Sequence, residues 1–433
     1  MSPDNYSFIR KYSLKQITPM LHFQHDENGA CIRSSELKPK LDKFLLSKPV
    51  KSSADNLIPN IWKQKGQSKA LNYKVFIIPE DTSKVIKSDT INRDIKIHSI
   101  SKELTSEEKK AEKKRINGEY SDKGINGLYF GNMVKYNEPN YNYKVRNTYK
   151  ETVFYEHPIT LKIVCHLPKL LEHIDEYIEE FFAVTNFGTR QNKGFGSFCI
   201  IKDSRLMNID NILNTRKYCY IRASIPGKMS ITKEEGFTIA SAVYSVMKGG
   251  INFPGLYIKG YIQRQYLDDI GSSDIGSDKA FVKSKILPAD ATKRNVLRPA
   301  SKKSDDEPER GRTYNDYLYI RSLLGVADHV EYKDPDGLRK GTVKISSDKV
   351  ERFPSIVTIK ISENAVYFII NDPSNEIFNK EFEFSGLNTD KIVTPSSFNK
   401  TQFKDGFITY FNRVKNRFIN NNKLKMCKDV DLR

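Results

Sequence analysis

Two βαββαβ units in tandem, making an α+β chain with long insertions, are the fold class that this sequence predicts. Three observations carry the prediction. The chain has 433 residues, 38% of them hydrophobic and 11% aromatic, which is too long for one ordinary core and apolar enough to fill more than one. Runs of β-branched and aromatic residues alternate with runs whose apolar residues recur at helical spacing, in the order strand, helix, strands, helix, strand, and the order starts again past residue 209. Two polar stretches, at about 82–125 and about 267–313, interrupt the pattern and read as insertions. The expected boundaries are 1–208 and 209–433, each a ferredoxin-like (RRM-like) unit.

The elements follow in order. Residues 6–23, YSFIRKYSLKQITPMLHF, mix aromatic, β-branched and basic residues in rough alternation and read as a first strand. In IRSSELKPKLDKFLL, Ser34 or Ser35 is placed to cap a helix whose apolar stripe is Leu37, Leu41, Phe44 and Leu45. Pro39 is expected early enough in that helix for its missing N–H to cost nothing. NYKVFIIPE at 72–80 reads as a strand. SKELTSEEKKAEKKRING, in the middle of the first insertion, reads as a solvated helix or loop. YKETVFYEHPITLKIVCHL supplies one or two more strands, and Leu170, Leu171, Ile174, Ile178, Phe181 and Phe182 make one stripe of a long helix. GSFCIIKD is the closing strand.

In the second half RKYCYIRASI and LYIKGYIQRQY read as strands around a helix in ITKEEGFTIASAVYSVMKGG. Residues 267–313, rich in Ser, Asp, Lys and Gly, are expected to be largely exposed. GTVKIS, SIVTIKIS and NAVYFIIND read as strands, and FKDGFITYFNRVKNRFI as the last helix.

Lys and Arg number 71 against 53 Asp and Glu, a formal charge of +18. Such an excess favours a polyanion at the surface, because each neutralised phosphate releases condensed counterions. Nucleic acid is the expected partner, although a lysine-rich surface without one has the same charge. Cys31, Cys165, Cys199, Cys219 and Cys427 are odd in number and lack CxxC spacing, which argues against a disulfide framework or a zinc site and for a reducing compartment. No run approaches the roughly 20 apolar residues that span a bilayer, and the N-terminus lacks a signal-like apolar core. A cytoplasmic protein with no membrane partner, no cofactor and no metal is expected.

The stretch 186–198, NFGTRQNKGFGSF, carries the chemistry. Its glycines let the backbone approach a ligand and present N–H groups to an anion, and Arg190 and Lys193 add charge. Thr189, Gln191 and Asn192 are neutral donors, and Phe195 either stacks on a base or packs beneath the loop. The stretch runs from helix to strand and lacks GxxxxGK[ST] and GxGxxG spacing, so it is neither a P-loop nor a Rossmann turn. A phosphate cradle and a plain connecting turn both remain open.

GTRQNKGFGSF resembles the glycine-rich signature, G-x-R-x-x-x-G-F-G, of the RAMP superfamily of CRISPR proteins; Gly188, Arg190, Gly194, Phe195 and Gly196 match it. ITPMLHF resembles the family's first strand ending in T-P, and Ser35, Leu37 and Lys38 fall on its S-x-L-K helix start. YIRSLLGVAD and ERFPSIVTIKI resemble an L-G-L segment and an R-x-P-S-P-x-x-x-K segment of larger two-domain members, the Cmr-type capping subunits of type III-B complexes, with Ile356 where the second proline is expected. The resemblance implies a subunit of a CRISPR ribonucleoprotein in antiviral defence. Its partners are then CRISPR RNA or target RNA and other RAMP subunits, and Arg33, Ser35, Lys38, Gly188, Arg190, Lys193, Gly194, Phe195 and Gly196 are the RNA-binding residues.

An endoribonuclease on the same fold is the alternative. His22 and His25 stand just after the first strand, where a general base for metal-independent cleavage would sit, and Asp26 is a candidate for metal-dependent cleavage. Repeat-processing members of the superfamily carry their glycine loop close to the C-terminus, whereas 235 residues follow Phe198 here. A non-catalytic subunit is therefore expected. His166 and His173 lack HExxH spacing and a third ligand.

Overall fold

The first strand, β1 (Ile9–Gln16), lies at the centre of a five-stranded sheet. In this computed structural model the described residues are 8–20, 32–51, 57–66, 69–79, 85–88, 96–100, 105, 107, 135–136, 143–147, 152–155, 157–253, 256–263, 265–282, 314–333, 340–350, 353–385, 389–422 and 424–433. The chain forms two units. The first joins Met1–Lys217 with Met229–Thr238 and Ile359–Val366, and the second takes Tyr218–Lys228, Ile239–Thr358 and Tyr367–Arg433.

In the first unit β1 is followed by α1 (Ser34–Leu46) and β2 (Lys74–Pro79). Then come β3 (Val85–Ser88), β4 (Lys96–Ile100), β5 (Lys135–Tyr136), β6 (Tyr143–Asn147) and β7 (Thr152–Tyr155). β8 (Ile159–Val164), α2 (Pro168–Val184), β9 (Phe198–Lys202), β10 (Arg205–Leu206) and α3 (Ile209–Thr215) complete the series. The sheet order is β10-β9-β1-β8-β2, with β1 antiparallel to both β8 and β9 and β2 antiparallel to β8. A helix thus follows the first strand and another follows the third. β3 pairs with β7 and β4, β6 and β5 form a small sheet, so strands enter the stretch 82–125 where only a solvated helix or loop was expected. Short β-branched pairs such as Val85–Ile86, inside a lysine-rich run, give too little periodicity to announce them.

The core lies between sheet and helices. Ile159, Leu161 and Ile163 of β8, Leu37, Leu41 and Leu45 of α1 and the long stripe of α2 are all buried. At the sheet margin Arg10 Nε bonds Asp175 of α2 at 2.7 Å, and the Tyr12 hydroxyl donates to the same carboxylate. Two details of α1 differ from expectation. Arg33, not a serine, is its N-cap, without a side-chain capping bond, and Pro39 falls in the second turn. There its missing N–H does forgo one bond, to the carbonyl of Ser35, and the exposure of Ser35 leaves that loss to water.

The second unit holds β11 (Tyr220–Ser224), most of α4 (Lys233–Lys248), the hairpin β12 (Gly250–Phe253) with β13 (Leu256–Lys259), and α5 (Gln265–Asp269). β14 (Ile275–Ser277), α6 (Asp278–Phe281), β15 (Asp316–Leu318), β16 (His329–Lys333) and β17 (Lys340–Ser346) follow. β18 (Val357–Ile361), β19 (Val366–Ile370), β20 (Glu381–Ser385), β21 (Thr389–Val393), α7 (Lys400–Val414) and β22 (Asp431–Leu432) end the chain, with Ile359–Ile361 of β18 and Val366 of β19 belonging to the first unit. A four-stranded sheet has the order β18-β19-β11-β22, the same arrangement by rank along the chain as in the first sheet. A six-stranded sheet has the order β14-β15-β21-β20-β17-β16.

Of the stretch 267–313, expected to be largely exposed, residues 267–282 are described, and they are packed. Tyr266 joins an aromatic cluster with Tyr261, Phe398 and Phe403, Leu267 is fully buried, and Phe281 packs on Tyr317 and Phe384. Serines and aspartates hid these anchors from the sequence pattern, because they serve the interior: Asp278 is fully buried and binds the Arg321 guanidinium. Among the described residues no helix is long and apolar enough to cross a membrane.

Asp278→Ala leaves a guanidinium buried without its counter-charge, and urea unfolding should show a loss of about 3–5 kcal/mol. Asp405→Ala, which removes an exposed carboxylate, should change stability by under about 1 kcal/mol.

Candidate nucleic-acid interface

The glycine loop, residues 186–198, leaves α2 and enters β9, and its shape follows from its residues. Gly188, Arg190, Gly194 and Gly196 all have positive φ, at 81°, 57°, 87° and 67°. Arg190 is the one side-chain-bearing residue among them, in a region that such residues rarely occupy. Gly196 donates its N–H to Pro19 O at 2.8 Å and accepts from Phe187 N at 3.0 Å. A Cβ on Gly196 would overlap the Phe187 carbonyl, so only glycine fits. At Gly194 the Cβ would meet Ile361 Cδ1 at 2.8 Å, a flexible side-chain end.

The T-P segment at the end of the first strand closes on the loop from below. Thr18 donates its hydroxyl to Gly194 O at 2.7 Å and accepts from Ser197 N at 2.9 Å. On another side lies the tip of the R-x-P-S-P-x-x-x-K segment. Ile359 N donates to Asn192 O at 3.2 Å, Asn186 Nδ2 donates to Ile359 O at 2.8 Å, and Ser197 Oγ donates to Ile361 O at 2.7 Å. Three segments singled out separately in the sequence therefore meet at one place.

The lysine of the third segment, Lys360, is fully buried. Its Nζ donates at 3.0 Å to Thr185 O and at 3.0 Å to Phe198 O, the carbonyls that flank the loop. Burial pushes its ammonium down to about 8. A lysine inside the otherwise apolar run IVTIKI was the signal that could have found it.

The loop already holds an anion of its own. Gly188 N donates to Glu36 Oε1 at 2.6 Å, and Lys40 Nζ bonds the same oxygen at 2.7 Å, Asn186 O at 3.1 Å and Gln191 Oε1 at 2.7 Å. Glu36 and Lys40, neither proposed from the sequence, thus tie α1 to the loop. Phe195 is fully buried, with its ring 4.5 Å from that of Phe237. A ring with no exposed surface offers no face to a base, and of its two suggested roles it takes the one beneath the loop.

Lys38 also turns inward. It bonds Asp42 Oδ2 at 2.6 Å and Leu71 O at 3.0 Å and lies over the Tyr73 ring, neutralising a carboxylate that is 5% exposed. Arg33, Arg190 and Lys193 are half-buried, and Ser35 is exposed. Burial and the charge of Arg190 push the Lys193 ammonium down to about 7. His22, His25 and Asp26 lie outside the described residues. His173 is buried between Trp62 and Tyr177, its Nε2 3.3 Å from Leu45 O, and burial lowers its pKa. Among the described residues no three His, Cys, Asp or Glu side chains form a group that could hold a metal ion.

Two outcomes follow from this geometry. Gly196→Ala, which combines strain with backbone overlap, should cost about 2–4 kcal/mol in thermal or urea unfolding, and Gly194→Ala less. Lys360 titrates near 8 when folded and near the ordinary lysine value of about 10.4 when unfolded. The unfolded chain then binds more protons between these values, so the burial penalty is present in full below pH 8 and is relieved as pH rises toward 10. Urea unfolding of the wild type and Lys360→Met should diverge over that window, the wild type gaining up to about 1.4 kcal/mol per pH unit on the variant.

Comparison with known proteins bears on the whole chain. No curated protein matches it. Among solved structures, a chain of the type III-B Cmr-beta complex bound to cognate target RNA and AMPPnP, in the presence of ssDNA, is 11% identical, with 93% of this chain and 99% of that one covered and a TM-score of 0.38. A second Cmr-beta structure, bound to cognate target RNA, gives 11% identity, 97% and 99% coverage and a TM-score of 0.34. Apo Cmr1 from Pyrococcus furiosus gives 9% identity, 84% and 88% coverage and a TM-score of 0.31. The Cmr1 N-terminal domain family matches residues 8–251 and the Cmr1 C-terminal domain family residues 257–430. With both domains matched in order over nearly all of its length, the chain belongs to the Cmr1 family, a Cmr-type member of the RAMP proteins.

Proposed function

We propose that this chain is a non-catalytic RNA-binding subunit of a type III-B Cmr effector complex, working in the cytoplasm in antiviral defence, and that it consists of two ferredoxin-like (RRM-like) units in tandem. The observation that carries the reading is the match of both Cmr1 domains along residues 8–430. The tandem architecture is supported by two sheets with the same order, in which the fourth strand by rank pairs the first, the first pairs the third and the third pairs the second. We place the change of unit nearer 217 than the expected 208–209, because α3 (Ile209–Thr215) lies in the first unit and β11 opens the second.

The charge of +18 supports RNA as the ligand. Of the loop residues, we assign phosphate contact to Arg190 and Lys193. Gly188, Gly194 and Gly196 shape the loop, Phe195 anchors it, and Lys38 holds α1. Arg33 and Ser35, at the start of α1, complete the contact surface. The partners are CRISPR RNA or target RNA and the neighbouring subunits.

Binding of a fluorescent single-stranded RNA to the full chain should weaken steeply as salt rises from 50 to 200 mM, with a log–log slope of about −0.7 for each phosphate neutralised. Arg190→Ala with Lys193→Ala should weaken it by about 2–4 kcal/mol, a larger change than the same variant shows in urea unfolding. A double variant that melts early yet binds normally would assign the loop to architecture alone.

Lys193 adds a pH signature. Its charged form, which a phosphate requires, predominates only below about 7. Affinity should fall as pH rises from 6 to 8, and Lys193→Ala should remove that fall. His22→Ala and His25→Ala should leave RNA cleavage by the assembled complex unchanged; loss of cleavage in a folded variant would favour the endoribonuclease reading.

A further inference from the structure

The first sheet has a face that carries neither α1 nor α2, and its register fixes which side chains stand there. Tyr12, Leu161 and Ile77 align across β1, β8 and β2 on the helix side. One residue along each strand the opposite face begins, because successive side chains of a strand alternate. There Lys11, Lys162 and Phe76 form one row, Ile9, Val164 and Lys74 the next, and Ser13, Thr160 and Ile78 a third.

Two properties of these rows are unusual for a surface left to water. Lys11 and Lys162 are directly opposed across the strand pair, an arrangement of like charges that costs stability unless an anion lies over it. Among the described residues no carboxylate is paired with Lys11, Lys74 or Lys162, whereas Arg10 and Lys15 of the same strand each have one. Phe76 and Ile78 stand beside these lysines 46% and 47% exposed. The Lys162 ammonium is 5.8 Å from the centroid of the Phe76 ring. A half-exposed ring beside lysines that pair with no carboxylate among the described residues suits a ligand that offers a flat π-face and regularly spaced negative charges. A single-stranded nucleic acid offers both, while a duplex keeps its bases stacked on one another.

We propose that this face, opposite α1 and α2, binds single-stranded RNA, with one base stacked on Phe76 and the adjoining phosphates held by Lys11, Lys74 and Lys162. The inference rests on the RNA-binding function proposed above and adds a second contact surface, separate from the glycine loop. Binding here uses the sheet itself, so its base preference is set by stacking rather than by hydrogen-bond readout.

The test uses the full chain and a fluorescein-labelled oligouridine, read by anisotropy at fixed salt, with the Arg190→Ala, Lys193→Ala double variant alongside. Phe76→Ala should weaken binding about tenfold, the range for loss of one base–aromatic stack, while Phe76→Tyr keeps it. Lys11→Ala with Lys162→Ala should flatten the log–log salt slope by about 1.4, two contacts at about 0.7 each. Oligouridine carrying 5-iodouracil should photocrosslink to the peptide that contains Phe76 in the unaltered protein, a readout that needs no variant to fold.

A wild type that binds, with the Phe76→Ala affinity unchanged and the crosslink elsewhere, overturns this surface and leaves the RNA-binding function standing. A wild type that binds no RNA overturns both. Duplex RNA that competes as well as the single strand shows that the face reads charge alone and overturns the stacking.

Discussion

Lys360 brings a positive charge into a fully buried place, and two backbone carbonyls, those of Thr185 and Phe198, hold it there. Burying an amine in this way is costly, and the depression of its pKa is the measure of that cost. What it secures is the span between the end of α2 and the start of β9. With both ends fixed, the residues between them must turn back within a short distance, and positive φ at Gly188, Arg190, Gly194 and Gly196 is how they do it. The Thr18 hydroxyl, the Gly188 contact with Glu36 and the Phe195–Phe237 pair all depend on that course.

A loop set so firmly differs from a flexible phosphate clamp. Its backbone donors are largely spoken for: Gly196 by Pro19, Gly188 by Glu36, Gly194 by Gln191 and Lys193 by Arg190. Any recognition it performs falls to side chains on its outer surface, which is a reason to expect charge and position, rather than an anion nest, to matter there. The sheet face opposite α1 and α2 differs, since among the described residues no carboxylate is paired with Lys11, Lys74 or Lys162.

Much of this was legible in the sequence. The first strand and the helix after it, the stripe of α2 and the strand after the glycine loop follow from periodicity alone, because each element buries an apolar face. The loop stood out through its glycines, and the segments around Thr18 and Lys360 through resemblance to a family. What the sequence hid was mutual position. Nothing local says that Lys360 lies under the loop, that Glu36 fills it, or that Lys38 faces Asp42. Residues 267–282 were misjudged because their serines and aspartates look like solvated loop, whereas Asp278 is buried against an arginine 43 positions away. β22 is two residues long and pairs only with β11, too short for any periodicity to announce it.

The first unit is not a continuous stretch of chain: it includes residues 229–238 and 359–366. Synthesis is vectorial, so a ribosome that has released Met1–Lys217 has made five strands of the first sheet but neither Phe237 nor Lys360. Until then Phe195 lacks the Phe237 ring and the Thr185 and Phe198 carbonyls have no ammonium between them. The glycine loop therefore matures late, after most of the chain has emerged. A fragment cut near residue 217 would keep the sheet and lose the shape of the loop, so the two halves are unsuited to exchange as separate modules.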